Sequence, residues 1–180
     1  MHVYADAQGT EHAVMVRGVV RGSESLPVRI HSECLTGDVF GSCRCDCGEQ
    51  LRKSLAHIAQ AGCGVIIYMR GHEGRGIGLA NKVRAYALQQ RGRDTAQANE
   101  ELGLPVDARC YDAAAGILRA LGVRSVTLIT NNPDKMLSLS TSGVQVVGRV
   151  ELESTVNIHN SCYLATKRDK LRHDLVFTGA

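Results

Sequence analysis

Four of the chain's seven cysteines lie between residues 34 and 47, beside a histidine and an acid: Arg29-Ile30-His31-Ser32-Glu33-Cys34, then Cys43-Arg44-Cys45-Asp46-Cys47-Gly48. On a strand alternate side chains share a face, so the C-x-C-x-C spacing predicts that Cys43, Cys45 and Cys47 point the same way. Cys34 is far enough ahead of Cys45 for a loop to return it to the same point. Thiolates gathered from two sides of a loop suit zinc, which takes sulfur and nitrogen ligands in a tetrahedron. Four ligands would close the site as a structural staple, whereas three would leave a position for water. His31 and Glu33, an acid-base pair next to Cys34, favour chemistry. Cysteine is also a small buried hydrophobe, but this density beside H-S-E-C is not core composition.

Three further stretches carry chemistry-bearing residues. Arg70-Gly71-His72-Glu73-Gly74-Arg75-Gly76-Ile77-Gly78 sets four glycines, with His72, Glu73 and Arg75 among them, between an apolar run and a helix. Such a loop can bring backbone close to a ligand and offer helix N–H groups to an anion; a plain strand-to-helix turn is the alternative, but the titratable groups inside the turn favour a ligand loop. Asp107 and Arg109 form an i, i+2 pair that by itself reads as a surface salt bridge. Thr130-Asn131-Asn132-Pro133-Asp134-Lys135 places polar residues between a strand and a proline-started helix, either an anion site or a turn.

These residues need a frame. Residues 1–22 read as one or two strands, with 12–20 the clearer, and Pro27–His31 as the strand entering the cysteine region. Val65-Ile66-Ile67-Tyr68-Met69 is short and apolar enough for a buried central strand. Strands over 125–130 and 144–147 complete the set. Between them the spacing predicts helices over 48–60 (stripe Leu51, Leu55, Ile58, Ala59), 79–90 (Leu79, Val83, Tyr86, Ala87) and 111–121 (Tyr111, Ala114, Ala115, Leu118, Leu121). A short helix begins near Arg93-Asp94-Thr95, with Thr95 a candidate N-cap. The basic helix 163–170 reads as a solvated face. The alternation gives an α/β fold on the α+β border: one domain over 1–180, a mixed sheet flanked by helices.

Composition narrows the function classes. Hydrophobic residues at 44 % and charged residues at 22 % describe an ordinary soluble globular chain. With no Trp and two Phe, stacking platforms for nucleic acid are scarce, and a net charge of +3 is too small to argue for one. It suits an anionic small substrate. No apolar run is long enough for a membrane span, and the first residues lack a signal peptide's pattern. An odd number of cysteines without a secretion signal predicts reduced thiols in a cytoplasm.

Taken together, the motifs resemble the GTP cyclohydrolase II family of riboflavin biosynthesis. They run in order: R-I-H-S-E-C-L-T-G-D, R-C-D-C-G-x-Q-L, E-G-R-G-I-G-L followed by N-K and R-A-Y-A-L, D-T-x-x-A-N with L-G-L-P-x-D-x-R, T-N-N-P-x-K, and a closing Y-L-x-T-K-R-x-K-L. The resemblance implies conversion of GTP to 2,5-diamino-6-ribosylamino-4(3H)-pyrimidinone 5′-phosphate, formate and pyrophosphate, with zinc-bound water attacking guanine C8. It implies one zinc per chain on Cys34, Cys45 and Cys47, leaving Cys43 out, and magnesium on the triphosphate. Nucleotide contacts are implied at Arg29, Ile30, His31, Ser32, Glu33, Gln50, Glu73, Gly74, Arg75, Thr95, Thr130 and Lys135. Asp107 would be the proton acceptor, Arg109 the group acting on the α-phosphate, and Tyr86 a residue positioning the base. Because an arginine is hardly ever deprotonated, charge stabilisation suits Arg109 better than nucleophilic attack. The partner is GTP, with neither nucleic acid nor membrane, and a homodimer is expected. Two departures stand out: Cys110 follows D-x-R where the family usually has an acid, and Cys43 replaces a commonly apolar residue. No segment resembles a fused 3,4-dihydroxy-2-butanone 4-phosphate synthase, which fits a monofunctional form or an excised domain. Two alternatives remain, a paralogue that keeps the formyl group and a zinc-stabilised nucleotide-binding module without catalysis. A nucleobase deaminase fits less well, because no P-C-x-x-C follows an H-x-E here.

Overall fold

Alternation along β3 (Leu26–Ser32), the strand that enters the cysteine region, sets the plan of the molecule. Val28 and Ile30 point into one apolar cluster, while Arg29 and His31 turn the other way, to Gln50 and Asp38. In the computed structural model, which describes residues 1–171, 173–175 and 177–178, β3 lies inside a six-stranded mixed sheet. Before it come β1 (His2–Ala5) and β2 (Glu11–Arg17), an antiparallel hairpin at one edge. After it come α1 (Leu35–Asp38), α2 (Cys47–Ala61) and β4 (Gly64–Met69), then a 3₁₀ turn over Glu73–Arg75. Next are α3 (Leu79–Gln89), α4 (Thr95–Glu101), α5 (Asp112–Ala120), β5 (Ser125–Ile129), α6 (Pro133–Thr141) and β6 (Gln145–Val150). The two-residue strands β7 (Ser154–Thr155) and β8 (Phe177–Thr178) pair with each other, with α7 (Ser161–Asp169) between them.

The sheet order is β1-β2-β4-β3-β5-β6. β4, β3, β5 and β6 run parallel, so their carboxyl ends lie together. The chain leaves β3 for β4 on one side and leaves β5 for β6 on the other. Between β3 and β5 the connections diverge, and the crevice outside such a switch point is where open parallel sheets bind ligands. One face packs Val28, Ile30, Ile67 and Leu128 against Ala114, Ala115, Ile117 and Leu118 of α5 and Leu139 of α6. The other packs Ile66 and Ile129 against Ile58 of α2 and Leu152. The mixed sheet and its flanking helices match the expected class, and α5 buries its expected stripe apart from Leu121, which is partly buried.

Several local expectations need correction. Residues 43–46 are turns and bends, not a strand, so the cysteine alternation has no shared face. In α2 the inward residues are Gln50, Ser54 and Ile58, while Leu55 is 42 % exposed; Gln50 faces in because buried polar partners await it. The stripe expected on α3 is rotated in the same way. Lys82 and Ala85 are buried, whereas Leu79 and Val83 are exposed. Thr95 does not cap α4: Asp94 does, in a capping box with Gln97. Helix α7 is no solvated face, since Leu164, Thr166 and Lys167 are buried.

Candidate active site

Cys34 caps α1 at the end of β3, Cys45 lies in the turn that follows α1, and Cys47 opens α2. Their three sulfurs all lie within 4.8 Å of one another, with Cys34 and Cys45 3.8 Å apart. Glycines permit this gathering. A Cβ on Gly37 would lie 2.8 Å from the Cys45 Sγ, and one on Gly48 only 2.2 Å from the Gly37 carbonyl oxygen. The backbones of α1 and α2 thus touch directly. Cys43 is exposed, with its Sγ turned to the Gly41 carbonyl, and stands outside the triad.

The donor chemistry fits a soft divalent metal. Hydrogen bonds from Cys45 and Cys47 pull the Cys34 thiol far below its ordinary range. The Cys34 sulfur in turn pushes Cys45 up to about 11, and Cys34, Cys45 and burial raise Cys47. Three crowded sulfurs cannot all ionise without a cation among them, and three is the number of protein ligands that catalytic zinc sites use.

Around the sulfurs, α1 is fixed by a polar cluster. Asp38 accepts from His31 Nε2 at 3.0 Å, from the Tyr68 hydroxyl at 2.8 Å and from the Cys34 amide at 3.0 Å. Burial lowers the His31 pKa despite this carboxylate, and its ring stacks on Tyr68. Lys82 of α3 reaches the Cys34 Sγ at 3.1 Å.

One cavity, at the carboxyl ends of β3, β4 and β5, is lined by all three cysteines and also by Arg29, Arg75, Arg109, Lys135 and Lys167. Its floor is a chain of buried hydrogen bonds. Arg29 donates to the Ile129 carbonyl at 3.0 Å and to Gln50 Oε1 at 2.7 Å. Gln50 Nε2 donates to Asp46 at 2.6 Å, and Asp46 also accepts from Ser154 at 2.8 Å and Lys167 at 2.7 Å. Other cations are less committed. Both terminal nitrogens of Arg75 are buried without a partner among the described residues, on a residue held at φ +64°. Lys135 is 5 % exposed and donates to the Ile30 carbonyl. Burial, then Arg29, Arg109 and Lys167, depress its pKa well below the usual lysine range. Such a group calls for an anion.

The other nucleotide and catalytic candidates fall into two groups. Ser32, Glu33, Gly74, Tyr86, Thr95 and Thr130 line the cavity together with Arg29, His31, Gln50, Arg75, Arg109 and Lys135. Ile30, Glu73 and Asp107 do not. The Ile30 side chain is in the core, 1 % exposed, and offers the site only its carbonyl to Lys135. Glu73 is held by the Leu35 amide at 2.7 Å and Lys82 at 2.6 Å. Asp107 grips Arg109, accepting from its Nε at 2.9 Å. Burial works against the Asp107 charge, but Arg109 outweighs it and holds the pKa low; Asp107 likewise keeps Arg109 protonated against burial. Tyr86 lies under the Arg44 guanidinium, 5.1 Å from its ring centroid, and burial raises its pKa.

Sequence reasoning missed Lys82, Asp46, Tyr163 and Lys167, all in or beside this wall. Apolar spacing does not mark Lys82 or Lys167, because each faces inward for a charged partner, Glu73 for one and Asp46 for the other.

Comparison with known proteins agrees with this arrangement. The family model for GTP cyclohydrolase II matches residues 1–151. The chain is 56 % identical over 165 residues to the bifunctional riboflavin biosynthesis protein RIBA 1, chloroplastic, of Arabidopsis thaliana, covering 92 % of this chain and 30 % of that protein. It is 52 % identical over 178 residues to the riboflavin biosynthesis protein RibBA of Chlamydia muridarum, covering 98 % and 42 %. For RibBA of Nocardia farcinica the values are 55 % over 166 residues, 92 % and 40 %. The chain therefore spans less than half the length of these curated relatives. With three cysteine sulfurs and several cations facing one cavity and a family match over most of its length, the chain belongs to the GTP cyclohydrolase II family.

Proposed function

We propose that the chain hydrolyses GTP to 2,5-diamino-6-ribosylamino-4(3H)-pyrimidinone 5′-phosphate, formate and pyrophosphate, and that it serves riboflavin biosynthesis. One observation carries this reading: the cavity lined by Cys34, Cys45 and Cys47 is the same one lined by Arg75, Arg109 and Lys135. A substrate filling it would meet a metal site and a phosphate site together. Zinc, when bound to the three thiolates, would supply the Lewis acidity that makes water a nucleophile near neutral pH. Everything else falls to the chain. Arg75 and Lys135, with charge to offer and few partners, bind the triphosphate, and magnesium arrives with it. Asp107 aims Arg109, whose Nη1 also donates to the Ser32 hydroxyl at 3.3 Å. Paired in this way, Arg109 stays protonated and stabilises charge on the phosphoryl group. Tyr86 flanks the nucleotide beside α1 and holds the base.

The half-buried pair of His72 and Ser32, 3.2 Å apart, adds a neutral hydrogen-bonding site, since burial, Arg109 and Lys135 lower the His72 pKa to about 4. The reading extends to a homodimer, which sedimentation equilibrium tests, a single-chain mass overturning it. It extends also to a reducing compartment, the cytoplasm, suited to seven unpaired thiols. Among the described residues no helix is long and apolar enough to cross a membrane. The deciding experiment incubates zinc-replete protein with GTP and magnesium, and follows formate, pyrophosphate and the pyrimidine by mass spectrometry. All three products are expected, and absence of GTP turnover overturns the proposal. A product heavier by one carbonyl replaces it with ring opening that retains the formyl group.

A further inference from the structure

Lys82 is a buried lysine whose three ammonium protons are all accounted for. Its Nζ stands 3.1 Å from the Cys34 Sγ, 2.9 Å from Thr36 Oγ1 and 2.6 Å from Glu73 Oε1. An ammonium group has three donors and no acceptor, so this geometry saturates it. The residue is 8 % exposed and Glu73 6 %. Glu73 is itself fixed, its other oxygen accepting the Leu35 amide one residue after Cys34. Helix α3 and the 3₁₀ turn are thereby tied to the start of α1 through a lysine that touches a sulfur.

We propose that Lys82 is a positioning residue for the metal, hydrogen-bonding the Cys34 thiolate and setting how strongly that sulfur donates to zinc. The proposal rests on the reading of Cys34, Cys45 and Cys47 as the ligand set. Three thiolates and one divalent cation sum to a net charge of −1, buried at the end of β3, and a cation in contact with one sulfur offsets it. A hydrogen bond to a thiolate also draws electron density from it, so the metal keeps more of its Lewis acidity. Groups that hold metal ligands in this way tune both affinity and reactivity. Glu73 limits the effect by sharing the same ammonium.

Cobalt(II) reports on the thiolates directly, through sulfur-to-metal charge-transfer bands in the near ultraviolet. The wild-type chain and the Lys82→Met, Lys82→Gln, Lys82→Arg and Glu73→Gln variants are loaded with cobalt, and zinc affinity is measured by competition with a chromophoric chelator. Wild type should show the charge-transfer bands. If it binds no metal, the ligand-set reading fails before Lys82 is tested. Given bands in wild type, Lys82→Met should shift them to lower energy and weaken zinc binding about 10–100-fold. Lys82→Gln should fall between, Lys82→Arg should recover most of both, and Glu73→Gln should leave the bands at the wild-type energy or higher. Wild-type bands and affinity in Lys82→Met overturn the proposal. So does a shift in Glu73→Gln as large as that in Lys82→Met, which would place the effect in the loop. If Lys82→Met does not fold, Lys82→Gln decides by the same two readings.

Discussion

A buried lysine without a counter-ion is an unstable choice unless something arrives to pair with it. Lys135 has Arg29, Arg109 and Lys167 as charged neighbours and a backbone carbonyl as its acceptor. Because its folded pKa lies below the unfolded lysine value of about 10.4, the folded state binds its proton less readily than the unfolded chain. The sign follows: below the unfolded pKa, and so at neutral pH, the group costs stability. Lys135→Met should therefore raise the melting temperature, by about 2–4 °C for each kcal/mol relieved in a chain of this size, while GTP binding is lost. Calorimetry with and without nucleotide checks both halves, and a lowered melting temperature contradicts the argument. Arg75, with both terminal nitrogens unpartnered, should behave differently. Arg75→Ala removes a cation already in contact with the Tyr163 ring and should weaken GTP binding with little change in stability.

At the scale of elements, the site is held by contacts between segments distant in sequence, and these were the least legible part. Strands β3, β4 and β5 declared themselves by apolar runs, and the C-x-C spacing marked the cysteine loop that could hold a metal. What spacing could not show was the direction each helix face takes when polar groups compete for the inside. Gln50 and Lys82 both face inward for buried partners, Arg29 and Asp46 for one, Cys34 and Glu73 for the other, and each rotates its helix away from the apolar stripe. The basic tail was misread for the same reason. Lys167 reaches across from α7 to Asp46 at the start of α2, and that pair is nearly sealed, with side chains 9 % and 0 % exposed. Burial works against the Asp46 charge, but Lys167 and Ser154 hold its pKa below the ordinary carboxylate value. The pair's contribution is thus complete above the unfolded value of about 3.9 and disappears as pH falls through the lower folded one. Asp46→Ala strands the Lys167 charge and should cost about 3–5 kcal/mol, measured by urea denaturation at pH 7. In the variant, the part of the acid-induced loss below about pH 4 that belongs to this pair should vanish. An Asp46→Ala chain as stable as wild type would remove the pair from the structural account.

Over the whole molecule, the parallel strands bring the two ends of the proposed reaction to one crevice from different parts of the chain. The sulfurs come from residues 34–47, the cations from Arg75, Arg109, Lys135 and Lys167. Thiolates suit a metal that activates water against C8, and guanidinium and ammonium groups suit phosphate oxygens. This division makes the two hydrolyses separable by mutation. Cys45→Ser should weaken the metal site and abolish formate release. It should leave slow pyrophosphate release, with GTP and water giving GMP, because Arg109, Lys135 and magnesium remain. Arg109→Ala should end pyrophosphate release. If phosphoryl transfer must come first, formate disappears with it; if the steps are independent, a triphosphorylated ring-opened product accumulates. Both variants are assayed for formate, pyrophosphate and nucleotide products after metal content is measured, so that a misfolded chain is not mistaken for an inactive one. Loss of pyrophosphate but not formate in folded Cys45→Ser would reverse the assignment of the two ends of the cavity.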